Sequence, residues 1–177
     1  ARWMIPRLQD LRRQLPQLTL HLSAQEGRPD PDLSGLDAAL LLARGPWPAD
    51  WQVHTLARER LGVVVSPRHP AAAQLQGQPP DALLQHEVMH TLSRPQAWPQ
   101  WLQGQQLAPT QLRLGTRFDH LFYLLEAAVA GVGIAIAPEP LVAEDLAQGR
   151  LLAPWGFIDG DSDWVLCAPA DRDAPRL

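Results

Sequence analysis

A single cysteine, Cys167, stands in 177 residues, so no disulfide forms within the chain and a cysteine-rich zinc site is excluded. That usage fits a reducing compartment. Charge is sparse as well. Asp, Glu, Lys and Arg make up 19% and the formal net charge is -4, which leaves no basic field to hold a phosphate backbone by counterion release. These residues are therefore not expected to bind DNA themselves. No apolar run reaches the roughly 18 residues that a membrane helix needs, and Ala1-Arg2-Trp3 does not open the charged-then-apolar pattern of a secretory signal. The expected location is the cytoplasm, with no membrane partner.

Hydrophobic residues are plentiful at 46%, enough to bury the core of one large domain or two small lobes. Proline is in excess, with 18 residues, about twice the usual share of roughly 5%. Pro29-Asp30-Pro31, Pro46-Trp47-Pro48, Pro79-Pro80 and Pro138-Glu139-Pro140 punctuate periodic stretches instead of forming a low-complexity tract.

Ile5, Leu8, Leu11 and Leu15 recur at helical spacing, which predicts an amphipathic helix with its stripe in the core, stopped before Pro16. Leu18, Leu20 and Leu22 alternate with Thr19 and His21, the period of a half-buried strand. After a Gly/Pro-rich loop at 25–35, Ala38 to Ala43 and then Leu61 to Val65 are continuous apolar runs, as in strands covered on both faces. The segment 83–92 fits a strand or a helix, and a short helix begins near Pro99. Asp119 can cap a helix whose stripe is Phe122, Leu125, Ala128 and Val129, released at Gly131 and Gly133. Val132 to Ala137 then reads as a buried strand. A last helix starts at Pro138 or Pro140 and closes at Gly149. Cys167 is expected in a strand as an inert buried thiol. Strands alternating with helices predict an α/β, doubly wound arrangement.

Phe118-Asp119-His120, the run Glu126-Ala127-Ala128-Val129-Ala130-Gly131-Val132-Gly133-Ile134-Ala135, Pro138, and Leu151-Leu152-Ala153-Pro154 resemble the effector domain of LysR-type transcriptional regulators. Arg2-Trp3-Met4-Ile5-Pro6-Arg7-Leu8, Gly45-Pro46-Trp47-Pro48 and Ser66-Pro67-Arg68-His69-Pro70 follow in the family's order. The Trp-Pro element is similar to the branch of glycine-cleavage and β-lactamase activators. The resemblance implies two Rossmann-like lobes of the type II periplasmic-binding-protein fold, with a small-molecule effector in the cleft between them. Lobe I would comprise 1–61 plus 153–177 and lobe II 62–152, with crossover strands near 61–66 and 150–155. The chain is then expected to begin inside the first family motif, with the preceding strand and loop outside it. Implied partners are a homodimer, a tetramer at full length, and DNA through a separate N-terminal winged helix-turn-helix; no cofactor is implied. The dimer implied is antiparallel, one lobe's first helix lying against the partner's second-lobe helix. One departure concerns the pocket: Leu40-Leu41-Leu42-Ala43 stands where this branch often carries Arg and Gly.

Ligands of open α/β sheets bind beyond strand carboxyl ends, which singles out Arg44, Pro46 and Trp47; alternatively Trp47 and Trp51 simply pack a loop over the lobe edge. Thr116, Phe118 and Asp119 open a helix whose free N–H groups attract an anionic group, although the Asp119 carboxylate favours an amine; an ordinary helix cap is the plainer reading. The apolar strand end leans toward a partly apolar effector, whether an amino acid, a cell-wall fragment or a small aromatic acid. His86-Glu87-Val88-Met89-His90 matches H-E-x-x-H, which on a helix sets two imidazoles on zinc with Glu87 as base. On a strand the same histidines share a face about 13 Å apart. A zinc hydrolase and a transporter's periplasmic solute-binding protein are thus the competing readings.

Overall fold

The computed structural model describes residues 2–24 and 35–170. A 3-10 turn, Ile5–Arg7, runs into α1 (Leu8–Gln14). Then come β1 (Ala39–Ala43), β2 (Trp51–Val64), α2 (Ala71–Leu75), β3 (Glu87–Thr91), α3 (Ala97–Gly104), β4 (Arg113–Phe118), α4 (Leu121–Ala130), β5 (Ala135–Pro138), α5 (Glu139–Ala147) and β6 (Ile158–Pro169). The strands form a sheet in the order β1-β6-β2-β5, with every neighbouring pair antiparallel, and a parallel pair β3-β4. The Met89 N–H donates to the Ile134 carbonyl at 2.8 Å, which lays β3 alongside the chain leading into β5.

Two long strands carry the chain between lobes. β2 pairs Trp51–Leu61 with β6 and Leu61–Val64 with β5. On the return, Leu152 bridges Val65, and β6 then runs back along β2. The apolar run Leu61–Val65 is therefore the buried end of a longer strand whose first half, from His54 to Arg58, is exposed.

The second lobe owes its depth to helices on both faces. Val63, Ile134 and Ile136 point with Leu75, Leu83, Trp98, Trp101 and Leu102 into one cluster. Their neighbours Val64, Ala135 and Ala137 point with Met89, Leu124, Leu125, Ala128, Val142 and Leu151 into another. Alternate residues of one strand thus fill opposite layers, the reason these strands read as unbroken apolar runs. Each fully buried Val or Leu contributes on the order of 1.5–3 kcal/mol. The first lobe is thinner. Among the described residues, only Val165 and Cys167 are fully buried in its cluster, with Leu36, Ala39, Leu41, Trp47, Trp51 and Val53 half-covered.

Several expectations are corrected. The opening helix forms, but none of its residues is fully buried, so its stripe is not core. Leu18, Leu20 and Leu22 lie in no strand and are 38–55% exposed, because alternation yields a strand only where a neighbouring strand covers its polar backbone. Of the run at 38–43, Ala38 is exposed and Ala39–Ala43 form β1, half-buried throughout at the sheet edge instead of covered on both faces. His120, not Asp119, occupies the α4 N-cap position. The α4 stripe runs through Leu121, Leu124, Leu125 and Ala128, while Phe122 is 45% exposed. Gly131 does terminate α4 in the left-handed conformation, φ 84°, and Cys167 is a buried free thiol in β6. The Gly/Pro-rich loop at 25–34 lies outside the described residues.

Candidate functional site

Parallel strands place their carboxyl ends together, and here those ends face the two crossing strands. The Leu92 N–H donates to the Phe118 carbonyl at 3.0 Å, which joins the ends of β3 and β4. Thr91 Oγ1 donates to the Asp119 carbonyl at 3.3 Å and lies 2.9 Å from Ser93 Oγ. At the end of β5, Pro138 stands opposite Leu61. One residue along each chain, Arg60 Nη1 donates to Glu139 Oε2 at 2.6 Å and Nη2 to the Phe157 carbonyl at 3.2 Å. Within the same four-stranded sheet as β5, β1 ends with Ala43 opposite Asp163, which also faces Arg58 of β2. The carboxyl ends of β1, β3, β4 and β5 therefore converge on the stretch of β2 around residues 58–61, the position in which open α/β sheets hold ligands.

The sequence-predicted residues fall into two groups at this convergence. Thr116 is exposed on β4, Phe118 is half-buried against the α4-side core, and Asp119 is exposed just beyond the strand. Arg44 and Pro46 are exposed on the loop after β1. Trp47 is turned back, stacked on Trp51 with ring centroids 6.3 Å apart and packed against Val165 and Cys167.

His86 ends a 3-10 turn and His90 lies on β3. The H-E-x-x-H run is thus a turn leading into a strand, without the helical stacking that sets two imidazoles on one metal. Among the described residues no group of three His, Cys, Asp or Glu side chains could hold a metal ion.

Sequence reasoning missed a polar node beside the same crossing strands. Glu59, on β2, is fully buried and bonds Arg94 from the loop between β3 and α3. Gln100 of α3 donates from Nε2 to Asp161 Oδ2 of β6 at 3.3 Å. Burial pushes the Glu59 carboxyl above the usual glutamate range, and the Arg94 guanidinium partly offsets that rise. Glu59 Oε2, Arg94 Nη1 and Gln100 Oε1 are buried and find no hydrogen-bond partner among the described residues. The only local signal is Arg58-Glu59-Arg60, a charged triplet that resembles any solvated strand face until its partners arrive.

The whole chain, residues 1–177, matches the family described as the LysR substrate binding domain. It is 58% identical to the HTH-type transcriptional regulator TrpI of Pseudomonas aeruginosa over 99% of this chain and 60% of that protein. It is 35% identical to the HTH-type transcriptional activator AmpR of the same species over 92% of this chain and 54% of that protein, so the chain spans between half and two thirds of these relatives' lengths. The effector domain of Pseudomonas aeruginosa AmpR superposes with a TM-score of 0.78 at 32% identity, covering 97% of this chain and 80% of that one. Convergent strand ends, crossing strands and full-length sequence match agree, and the chain belongs to the LysR substrate-binding domain family.

Proposed function

We propose that this chain is the ligand-sensing part of a LysR-type transcriptional regulator: a small metabolite bound between the lobes shifts their arrangement and changes the geometry of DNA-bound oligomers. The carrying observation is the convergence of four strand carboxyl ends on the crossing stretch of β2. Lobe I comprises 1–61 plus 153–177 and lobe II 62–152, crossing near 61–66 and 150–155. Arg44, Pro46 and Trp47 form one wall; Thr116, Phe118 and Asp119 form the other. No covalent chemistry is required, and the protein acts in the cytoplasm. No helix among the described residues is long and apolar enough to cross a membrane. The domain pairs as a homodimer and the full-length regulator as a tetramer, with DNA held by an N-terminal winged helix-turn-helix. The relatives' names, a regulator and an activator of the HTH type, support this assignment.

Native mass spectrometry of the full-length regulator purified from cells, with zinc assayed on the same sample, tests the reading. The expected result is a zinc-free oligomer carrying a small organic molecule that is lost in Phe118→Ala. One zinc per chain, lost in His86→Ala, would overturn it in favour of a hydrolase.

A further inference from the structure

The pairing of β2 with β6 is irregular at two places, between Thr55 and Ala57 and, more widely, between Arg58 and Arg60. Arg58 faces Asp163 and Arg60 faces Asp159, so two steps on β2 correspond to four on β6 and the ladder is bulged between them. A bulge bends a strand pair and interrupts its hydrogen bonds. Here it lies within the first lobe, next to the crossings near 61–66 and 150–155. Glu59 and Asp161 both sit inside this bulge, and both are held from the second lobe by one short segment. Arg94 reaches Glu59 and Gln100 reaches Asp161. Gly160 makes room for the first tie: a Cβ there would lie 2.8 Å from Glu59 Oε2.

We propose that the segment from Arg94 to Gln100 is a two-point brace that sets the angle between the lobes by gripping both crossing strands at their shared bulge. This rests on the reading that the lobes move about the crossing strands. The Glu59–Arg94 tie uses one oxygen and one nitrogen, leaving Glu59 Oε2 and Arg94 Nη1 without a partner among the described residues. A single-bond pair is less rigid than the bidentate fork that arginine usually forms with carboxylate, so it suits a contact that is made in one lobe arrangement and released in another. Arg94, Glu59, Gln100 and Asp161 are thus positioning residues that act on cleft geometry through the strands.

Spin labels at Ala49→Cys, in the loop between β1 and β2, and Gln76→Cys, just beyond α2, report the distance between lobes by pulsed electron paramagnetic resonance. The labelled full-length regulator is diluted into unlabelled protein, and no effector is added. Arg94→Gln and Asp161→Asn are each expected to broaden the distance distribution, and the double variant to broaden it further, while Arg94→Lys restores the narrow one. Asp161 is exposed, so its variant folds even if Arg94→Gln does not. A double variant, or Asp161→Asn alone if the former is unstable, that superimposes on the parent distribution overturns the brace. Because the readout needs no ligand, that result leaves the sensor assignment standing; a parent without any bound small molecule would count against the sensor alone.

Discussion

β1 and β5 are both short, wholly apolar strands, Ala39–Ala43 and Ala135–Pro138, yet every residue of β1 is half-exposed and every residue of β5 is buried. The helices α1 and α4 differ in the same way. α1 buries none of its residues fully, whereas α4 buries Leu124, Leu125 and Ala128. The difference lies in the number of layers. β5 has helical clusters on both faces, while β1 is a sheet edge over a small patch around Val165 and Cys167. Apolar sequence marks what can be buried; the count of covering layers decides what is.

The largest effect that would sharpen this contrast is expected at Trp101, fully buried between Trp98 and Trp155. Trp101→Ala should cost about 3–5 kcal/mol in denaturant unfolding. Leu41→Ala on β1 should stay below the roughly 2 kcal/mol at which fully buried leucines begin. Equal losses at the two sites would erase the distinction between the lobes.

Arg94→Ala follows, at about 3–5 kcal/mol at neutral pH, because it leaves the Glu59 charge buried alone. The sign of its pH dependence is determined by Glu59, whose carboxyl is raised by burial and partly lowered by Arg94. A raised folded-state carboxyl binds its proton more tightly than the unfolded chain does. Its ionisation penalty is therefore fully present above the raised value and vanishes as pH falls into the ordinary glutamate range. Removing Arg94 enlarges that penalty, so the variant's deficit against the parent should shrink on acidification; unfolding curves at neutral and mildly acidic pH check this.

A smaller effect is expected where the opening segment ties to the second lobe. Arg2 donates to Asp145 at 2.9 Å, to Glu126 at 2.7 Å and to the Leu141 carbonyl at 3.2 Å. Arg150 still holds Asp145 when Arg2 is gone, so Arg2→Ala should cost only about 1 kcal/mol. The smallest effect is chemical. Cys167 is fully buried and burial raises its thiol above the usual range, so alkylating reagents should leave it unmodified in the native protein and label it in denaturant.

Much of the fold was legible because its signals are local. Gly131 stops α4, Gly149 follows α5, and the runs read as buried strands at 61–65 and 132–137 hold the covered ends of β2 and β5, although Val132 is exposed and β5 begins only at Ala135. Leu18 to Leu22 misled because alternation records a capacity to pair and says nothing of whether a partner strand is near. Asp119 misled because several polar residues precede α4, and the one at the N-cap is decided by where β4 ends. Thr116 and Phe118 read as the opening of a helix but lie on β4, with Asp119 just past its end, because a short strand leading into a helix has no signal of its own in so few residues. The Glu59–Arg94 tie could not be located, since its partners are 35 residues apart and each alone resembles surface charge.

By itself, then, the sequence determined the α/β class, the family, and the exclusion of a disulfide within the chain, because periodicity, turn residues and composition act over a few neighbouring positions. Tertiary structure alone decided that β2 runs through both lobes, that Trp47 folds back onto Trp51, and that Arg94 and Gln100 meet the crossing strands at one bulge. Those outcomes depend on which distant surfaces exclude water together, a property that no short stretch of chain contains.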